Sequence, residues 1–208
     1  MTLRTVVLFR HGEVVGESRA YFYGHMDVDL SEKGKKDSIE VVEYLMNLEI
    51  NAVYSSPLKR ALFPAKILAD RKGIPLFIRD DLREADYGLW TGKLRKEVYR
   101  DPLFWERLKD DRISPPKGES IRNLRDRAKR FLDYVKRKDF TLNVVFTHGG
   151  FLRALISEIL SIESRFFYAF EIYYLRAVIV SFRGDNSIIR GINVSARDIG
   201  TILVSSYW

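Results

Sequence analysis

Residues 6–13 run Val6-Val7-Leu8-Phe9-Arg10-His11-Gly12-Glu13: four apolar side chains in a row, then a cation, a histidine, a glycine and an acid. A short apolar run without alternation is the pattern of a strand buried on both faces, as in a parallel sheet covered by helices. In open α/β sheets ligands bind just outside the carboxyl ends of the strands. Arg10 and His11 stand where such a strand ends.

Two later segments repeat the arrangement. Leu142 to Phe146 is a second apolar strand, and Thr147-His148-Gly149 follows it. Ala52-Val53-Tyr54 is a third, followed by Ser55-Ser56-Pro57-Leu58-Lys59-Arg60. If these strands are parallel, their tips share one crevice holding Arg10, His11, Arg60 and His148. Two of the chain's three histidines occupy equivalent places there. Helices that begin after Pro57 and Gly149 would add N-terminal N–H groups and the positive ends of their dipoles. Guanidinium forks match phosphate oxygens, so such a crevice suits a phosphate group. A metal site is not expected: no His-x-x-x-His or Asp-rich cluster occurs, and Arg10 and Arg60 would repel a cation.

Between these strands the spacing predicts helices. Ser31 caps one that runs to about residue 48, with Ile39, Val42, Leu45, Met46 and Leu48 inward. Ser56 caps the next, with Pro57 as its first residue and Gly73 as its stop. Leu76-Phe77-Ile78 reads as a strand and residues 82–92 as a loop. A helix surrounds Trp105, with Trp105 as a packing anchor. Ser120 caps an amphipathic helix whose outer face carries Arg122, Arg125, Arg127, Lys129, Arg130, Lys136, Arg137 and Lys138 as a solvated basic surface. Residues 150–160 are again helical. Three late strands are expected at 171–182, 187–193 and 201–206. Six aromatics in residues 166–174 suit core packing or a homodimer surface. The order predicts an α/β fold, a three-layer α/β/α sandwich with a mostly parallel central sheet.

At 208 residues with 46% apolar side chains, the chain can build one sizeable core, and residues 1–208 are expected to form a single domain. The absence of cysteine excludes disulfides, thiolate catalysis and zinc–thiolate sites. No apolar run approaches the roughly 18–20 residues of a membrane span, and the start lacks a signal-peptide pattern. No membrane partner and a cytoplasmic location are therefore expected. A net charge of +7 suits either nucleic acid or small anionic substrates. Basic and aromatic residues are not interleaved on one predicted face, so no nucleic-acid partner is expected, although a basic nucleic-acid-binding protein stays as the reading of another class.

Five segments in this order carry a family resemblance: Arg10-His11-Gly12-Glu13, Ser55-Ser56-Pro57-Leu58-Lys59-Arg60-Ala61, Glu84-Ala85-Asp86-Tyr87-Gly88, Gly118-Glu119-Ser120 and Thr147-His148-Gly149. The chain resembles the histidine phosphatase superfamily, also called phosphoglycerate mutase-like, from residue 6 to about residue 160. The resemblance implies that His11 attacks phosphorus and becomes phosphohistidine. It implies that Arg10, Arg60 and His148 hold the phosphoryl oxygens and that Glu84 is the general acid for the leaving alcohol. Tyr23, Gly24 and Gly149 complete the implied substrate-binding set, and no cofactor is required. The chemistry agrees: imidazole attacks only when neutral, and adjacent guanidiniums favour that form.

The implied activity is metal-independent hydrolysis of a small phosphorylated metabolite. Residues 23–34 are similar to α-ribazole phosphatases, so α-ribazole 5′-phosphate is one expected substrate. The alternative inside the family is a cofactor-dependent phosphoglycerate mutase. Only about 30 residues separate Gly88 from Gly118, a short lid segment (94–119) that favours an open, hydrolytic site; Arg107 and Trp105 are candidates for selecting substrate there. One departure concerns the loop after Glu13: Val14 and Glu17 replace the usual Thr and Asn, and Glu17 would repel phosphate if it pointed inward. The roles of His25 and of Tyr207-Trp208 stay open.

Overall fold

A computed structural model describes residues 3–16 and 20–205; Glu17 and Tyr207-Trp208 lie outside the described residues. Strands β1 (Arg4–Arg10), β2 (Ala52–Ser55), β3 (Leu76–Ile78), β4 (Leu142–Thr147), β5 (Ala177–Arg183) and β6 (Asn186–Val194) form one sheet in the order β3-β2-β4-β1-β5-β6. The pairings β3–β2, β2–β4 and β4–β1 are parallel, whereas β5 pairs antiparallel with both β1 and β6. One strand thus runs against the other five, and the sheet is mostly parallel.

The apolar run of β1 is unbroken because both faces of the sheet are covered. Val6 and Leu8 pack with Tyr54, Val145 and Val180 on the side of α5 (Ile121–Lys136) and α6 (Gly149–Ile159). Val7 and Phe9 pack with Val53, Val144 and Phe146 on the side of α1 (Glu32–Leu45) and α2 (Lys59–Lys72). The result is the three-layer α/β/α arrangement. Register then aligns the tips. Arg10 pairs with Thr147, and the His11 N–H donates to the Thr147 carbonyl at 2.9 Å. The Ser56 N–H donates to the Phe146 carbonyl at 3.1 Å.

Several expected boundaries shift. Helix α1 starts at the Ser31 cap, whose oxygen accepts the Gly34 N–H, but it ends at Leu45 rather than near 48. Ile39 is exposed, and Val41 takes its place in the core. Helix α2 begins at Lys59, not Pro57, and Ser56 is not its N-cap. The Ser56 hydroxyl is instead shared between the Leu58 N–H and a histidine described below. The expected loop at 82–92 contains a 3-10 turn at Gly88–Trp90 and follows another at Asp80–Leu82. Among the described residues only two late strands form. Residues 171–176 are irregular, and the expected strand at 201–206 is replaced over its described part by helix α7 (Ile199–Val204). Ile199, Ile202 and Leu203 recur at helical spacing and meet the core on the α1 side, which outweighs their strand propensity.

Residues 94–109 fold as α3 (Arg95–Val98) and α4 (Pro102–Lys109). Phe104, at 2% exposure, is the anchor there; Trp105 is 52% exposed and donates its N–H to the Tyr99 carbonyl. Arg107, on α4 itself, is buried with its guanidinium 5.8 Å from the Trp90 ring centre. The face of α5 is not simply solvated either. Arg122, Arg125, Arg127 and Lys129 pair with Asp111, Glu158, Glu119 and Asp133. Among the described residues no helix is long and apolar enough to cross a membrane.

The loop after β1 is locked against the start of α1. A Cβ on Gly34 would collide with the Glu13 backbone, and one on Gly12 would lie 2.8 Å from the Gly34 carbonyl oxygen. The expected outcome of Gly34→Ala is a loss of about 1–3 kcal/mol of stability, the usual range for overpacking, read from urea unfolding midpoints; an unchanged midpoint contradicts the interlock.

Candidate active site

His11 leaves the end of β1 and is only 5% exposed. Its Nδ1 lies 2.7 Å from the Gly12 carbonyl oxygen. A carbonyl only accepts, so Nδ1 carries the proton and Nε2 keeps a free lone pair. The His148 ring, at the end of β4, sits 5.1 Å away between centroids, and the Tyr174 ring 5.6 Å away. The His148 Nε2 shares a hydrogen bond of 2.8 Å with the Ser56 hydroxyl, while its Nδ1 is buried with no partner among the described residues.

Two guanidiniums flank the histidines. Arg60, in the first turn of α2, donates Nη1–H to the Met26 carbonyl at 2.7 Å and Nη2–H to the Gly24 carbonyl at 2.8 Å. Arg10 donates Nη1–H to the Ile172 carbonyl at 2.6 Å and lies 3.8 Å from the Tyr174 ring centre. Its Nε is buried without a partner among the described residues. Among the described residues neither guanidinium is in an ion pair. The cavity they bound is small, about 30 Å³, and Tyr23, Gly24, Glu84 and Arg95 also line it. Gly149 opens α6 without a side-chain cap on the first turn, beside the Arg10 Nε. The expectation of two free helix N-termini is half met: at α2 the Lys59 N–H donates to Asp27 Oδ1 at 2.7 Å.

The Glu84 carboxylate reaches the same cavity. Its Oε1 accepts the Ala85 N–H at 2.8 Å. A side chain on Gly150 would run into that oxygen, so the glycine leaves room for the acid. Arg127 secures the segment from α5, donating to the Asp81, Arg83 and Glu84 carbonyls at 2.9, 2.6 and 3.1 Å. Glu119 binds Arg127 and accepts the Asp86 N–H at 2.8 Å. A Cβ on Gly118 would lie 2.6 Å from the Asp86 carbonyl oxygen, so Gly118-Glu119-Ser120 braces the acid-bearing loop. His25 turns to the Glu84 backbone instead of lining the cavity.

The composition of the sequence motifs did not reveal Arg127, Gly150, Arg95 or Tyr174. Arg127 had a signal: it sits three residues after Leu124 and four before Phe131, on the inward side of its helix. Tyr174 lay within an aromatic run read as core or dimer surface. A second cavity of about 400 Å³ adjoins the first, sharing Arg10, Arg95 and Tyr174 with it and adding Tyr99, Trp105 and Arg153. A separate groove of about 840 Å³ beside α1 contains neither histidine nor Glu84. Among the described residues no three His, Asp or Glu side chains gather as metal ligands.

Both histidines are held neutral. Burial is the first cause for each, pushing their pKa values well below the ordinary 6.5, and Arg60 and Arg10 act in the same direction. Arranged so, the site offers a neutral nucleophilic nitrogen, two cations aimed at an anion, and a carboxyl group beside them. Protons bind the unfolded chain first as pH falls below about 6.5, so the stability present above that value is lost on acidification. Each histidine contributes a slope of up to about 1.4 kcal/mol per pH unit. The double variant His11→Asn/His148→Asn is expected to flatten stability between pH 6.5 and 5, measured by urea unfolding; equal slopes in both proteins contradict neutral histidines.

The sequence model of the histidine phosphatase superfamily (branch 1) matches residues 6–195. Phosphoserine phosphatase 1 of Hydrogenobacter thermophilus is 30% identical over 169 residues, covering 79% of this chain and 80% of the relative. Phosphoglycerate mutase-like protein 4 of Arabidopsis thaliana is 37% identical over 161 residues, 72% of this chain and 68% of the relative. The crystal structure of the α-ribazole phosphatase from Shigella flexneri has the same fold, with a TM-score of 0.76, 19% identity, and 91% of this chain and 96% of that one covered. The chain belongs to the histidine phosphatase superfamily, and its activity is that of a phosphoric monoester hydrolase.

Proposed function

We propose that the protein hydrolyses small phosphomonoesters without a metal ion, through a phosphohistidine on His11. The observation that carries this reading is the neutral His11 ring, with Nε2 free and two guanidiniums beside it that have no carboxylate partner among the described residues. In this mechanism the phosphoryl group sits among Arg10, Arg60, His148 and the N-terminus of α6. The Nε2 lone pair attacks phosphorus as the P–O ester bond breaks, and the Glu84 carboxyl gives its proton to the departing alkoxide. Arg10 and Arg60 stabilise the charge spread over the equatorial oxygens. Water then attacks the phosphohistidine, Glu84 takes its proton, and phosphate leaves with His11 neutral again.

The leaving group would occupy the 400 Å³ cavity, with α3 and α4 as a partial lid. Its aromatic and guanidinium walls suit a ring-bearing alcohol, which keeps α-ribazole 5′-phosphate as the first substrate to try. Phosphoserine stands beside it because a relative of 30% identity bears that name.

The test is phosphate release from a panel of phosphorylated metabolites in excess chelator. Activity is expected to persist, and His11→Ala to lose more than roughly 1,000-fold in kcat. Alkaline quench of the wild type is expected to trap an acid-labile phosphoenzyme. Loss of activity in chelator refutes metal independence, and an active His11→Ala refutes the nucleophile. Interconversion of 2- and 3-phosphoglycerate without net phosphate release would replace hydrolysis by transfer.

A further inference from the structure

His25 is the one histidine that the mechanism above leaves unused. Its Nε2–H donates to the Glu84 carbonyl oxygen at 2.8 Å. The same oxygen accepts from Arg127 Nη2 at 3.1 Å, so two donors from opposite parts of the chain hold one carbonyl. That carbonyl and the Ala85 N–H belong to a single planar peptide unit. The Ala85 N–H in turn holds the Glu84 carboxylate at 2.8 Å. Whatever fixes the plane therefore fixes the direction of the acid.

The other side of His25 leads to the phosphate site. Arg60 grips the Gly24 and Met26 carbonyls, the two residues that flank His25. Asp86 stands on the other side of the ring, its Oδ2 4.0 Å from Nδ1 and outside hydrogen-bond distance, while its Oδ1 accepts the Gly88 N–H at 2.9 Å. One continuous chain of bonds thus runs from a guanidinium beside His11, through the loop at 24–26, to the peptide that aims Glu84.

We propose that His25 is a positioning residue: it sets the Glu84 carboxyl for proton transfer to the leaving group and ties that setting to the Arg60 side of the phosphate site. This inference rests on Glu84 being the general acid. Proton donation matters for a poor leaving group, such as an alkyl alcohol, and little for p-nitrophenol, which departs as an anion. A residue that aims the acid must then affect the two kinds of ester differently, whereas a residue that only supports the loop affects both alike.

The experiment compares kcat/KM for β-glycerophosphate and p-nitrophenyl phosphate in wild type, His25→Ala, His25→Gln and Glu84→Gln. The ratio kcat/KM reports the phosphorylation step, free of later turnover of phosphohistidine. His25→Ala is expected to lose roughly 10-fold on the alkyl ester and less than about 2-fold on p-nitrophenyl phosphate. Inhibition by inorganic phosphate is expected to be unchanged, which reports an intact phosphate site. His25→Gln is expected to recover most of the loss, because its amide nitrogen stands the same number of bonds from Cβ as the imidazole Nε2. Equal losses on both esters, no loss on either, or a Gln variant no better than Ala overturns the proposal. Glu84→Gln separates the two levels. If it discriminates between the esters and His25→Ala does not, only the role of His25 falls. If Glu84→Gln does not discriminate, the assignment of the acid falls and the role of His25 falls with it.

Discussion

Two guanidiniums buried beside two neutral imidazoles are the constraint on which the rest of this structure depends. Taking Arg10 and Arg60 out of water is unfavourable, and burial lowers the pKa of both. The usual remedy is a carboxylate partner, yet among the described residues neither has one. They are held by main-chain carbonyls of Gly24, Met26 and Ile172 and by the face of Tyr174. Carbonyl dipoles satisfy N–H groups without cancelling the charge. The field therefore stays directed into the cavity, where a phosphoryl group can use it without further reorganisation. The same field, added to burial, keeps His11 and His148 unprotonated, so the attraction for an anion and the free lone pair of His11 have one origin.

The fold supplies this arrangement from strand tips that are distant in sequence. β1 and β4 are neighbours in register, which brings His11 and His148 together, and β2 beside β4 carries Ser56 and Arg60 to the same edge. Glu84 arrives by another route. It sits on a loop after β3, and that loop is fastened from three directions: Thr147 Oγ1 donates to the Leu82 carbonyl at 2.7 Å, Arg127 reaches in from α5, and Glu119 holds the Asp86 N–H. An acid on a loop gains precision only through such bracing.

Most of the architecture was legible because β1, β2 and β4 are apolar on both faces, a pattern that few arrangements other than a covered parallel sheet satisfy. His11, His148 and Arg60 were legible because each follows such a strand. Long-range packing decided what was not. Thr201, Ile202 and Val204 are β-branched and so suggest a strand, and only the apposition of Ile199 and Ile202 with the α1 side fixes a helix. Arg127 looked like one more surface cation in a basic run, since its destination, three carbonyls 43–46 residues earlier, is invisible to local pattern. Ser56 looked like a helix cap because serine before proline is a common start; a partner 92 residues away claims its hydroxyl instead.

The wall between the two cavities limits where substrate choice can change. Tyr174 lies under the Arg10 guanidinium and near His11, and Ile172 gives its carbonyl to Arg10. Both residues also line the larger cavity. A substitution there that reshapes this cavity moves the Arg10 guanidinium at the same time. Tyr99 and Trp105 line the same cavity from α4 and the turn before it; both are exposed, and neither lines the small cavity around His11. Trp105, whose side chain bonds only to the Tyr99 carbonyl among the described residues, can therefore vary without disturbing the field around His11, whereas the 172–174 side cannot. That asymmetry follows from the carbonyl-held guanidinium itself: a charge kept available for substrate must be held by backbone, and the backbone that holds it is no longer free to adapt.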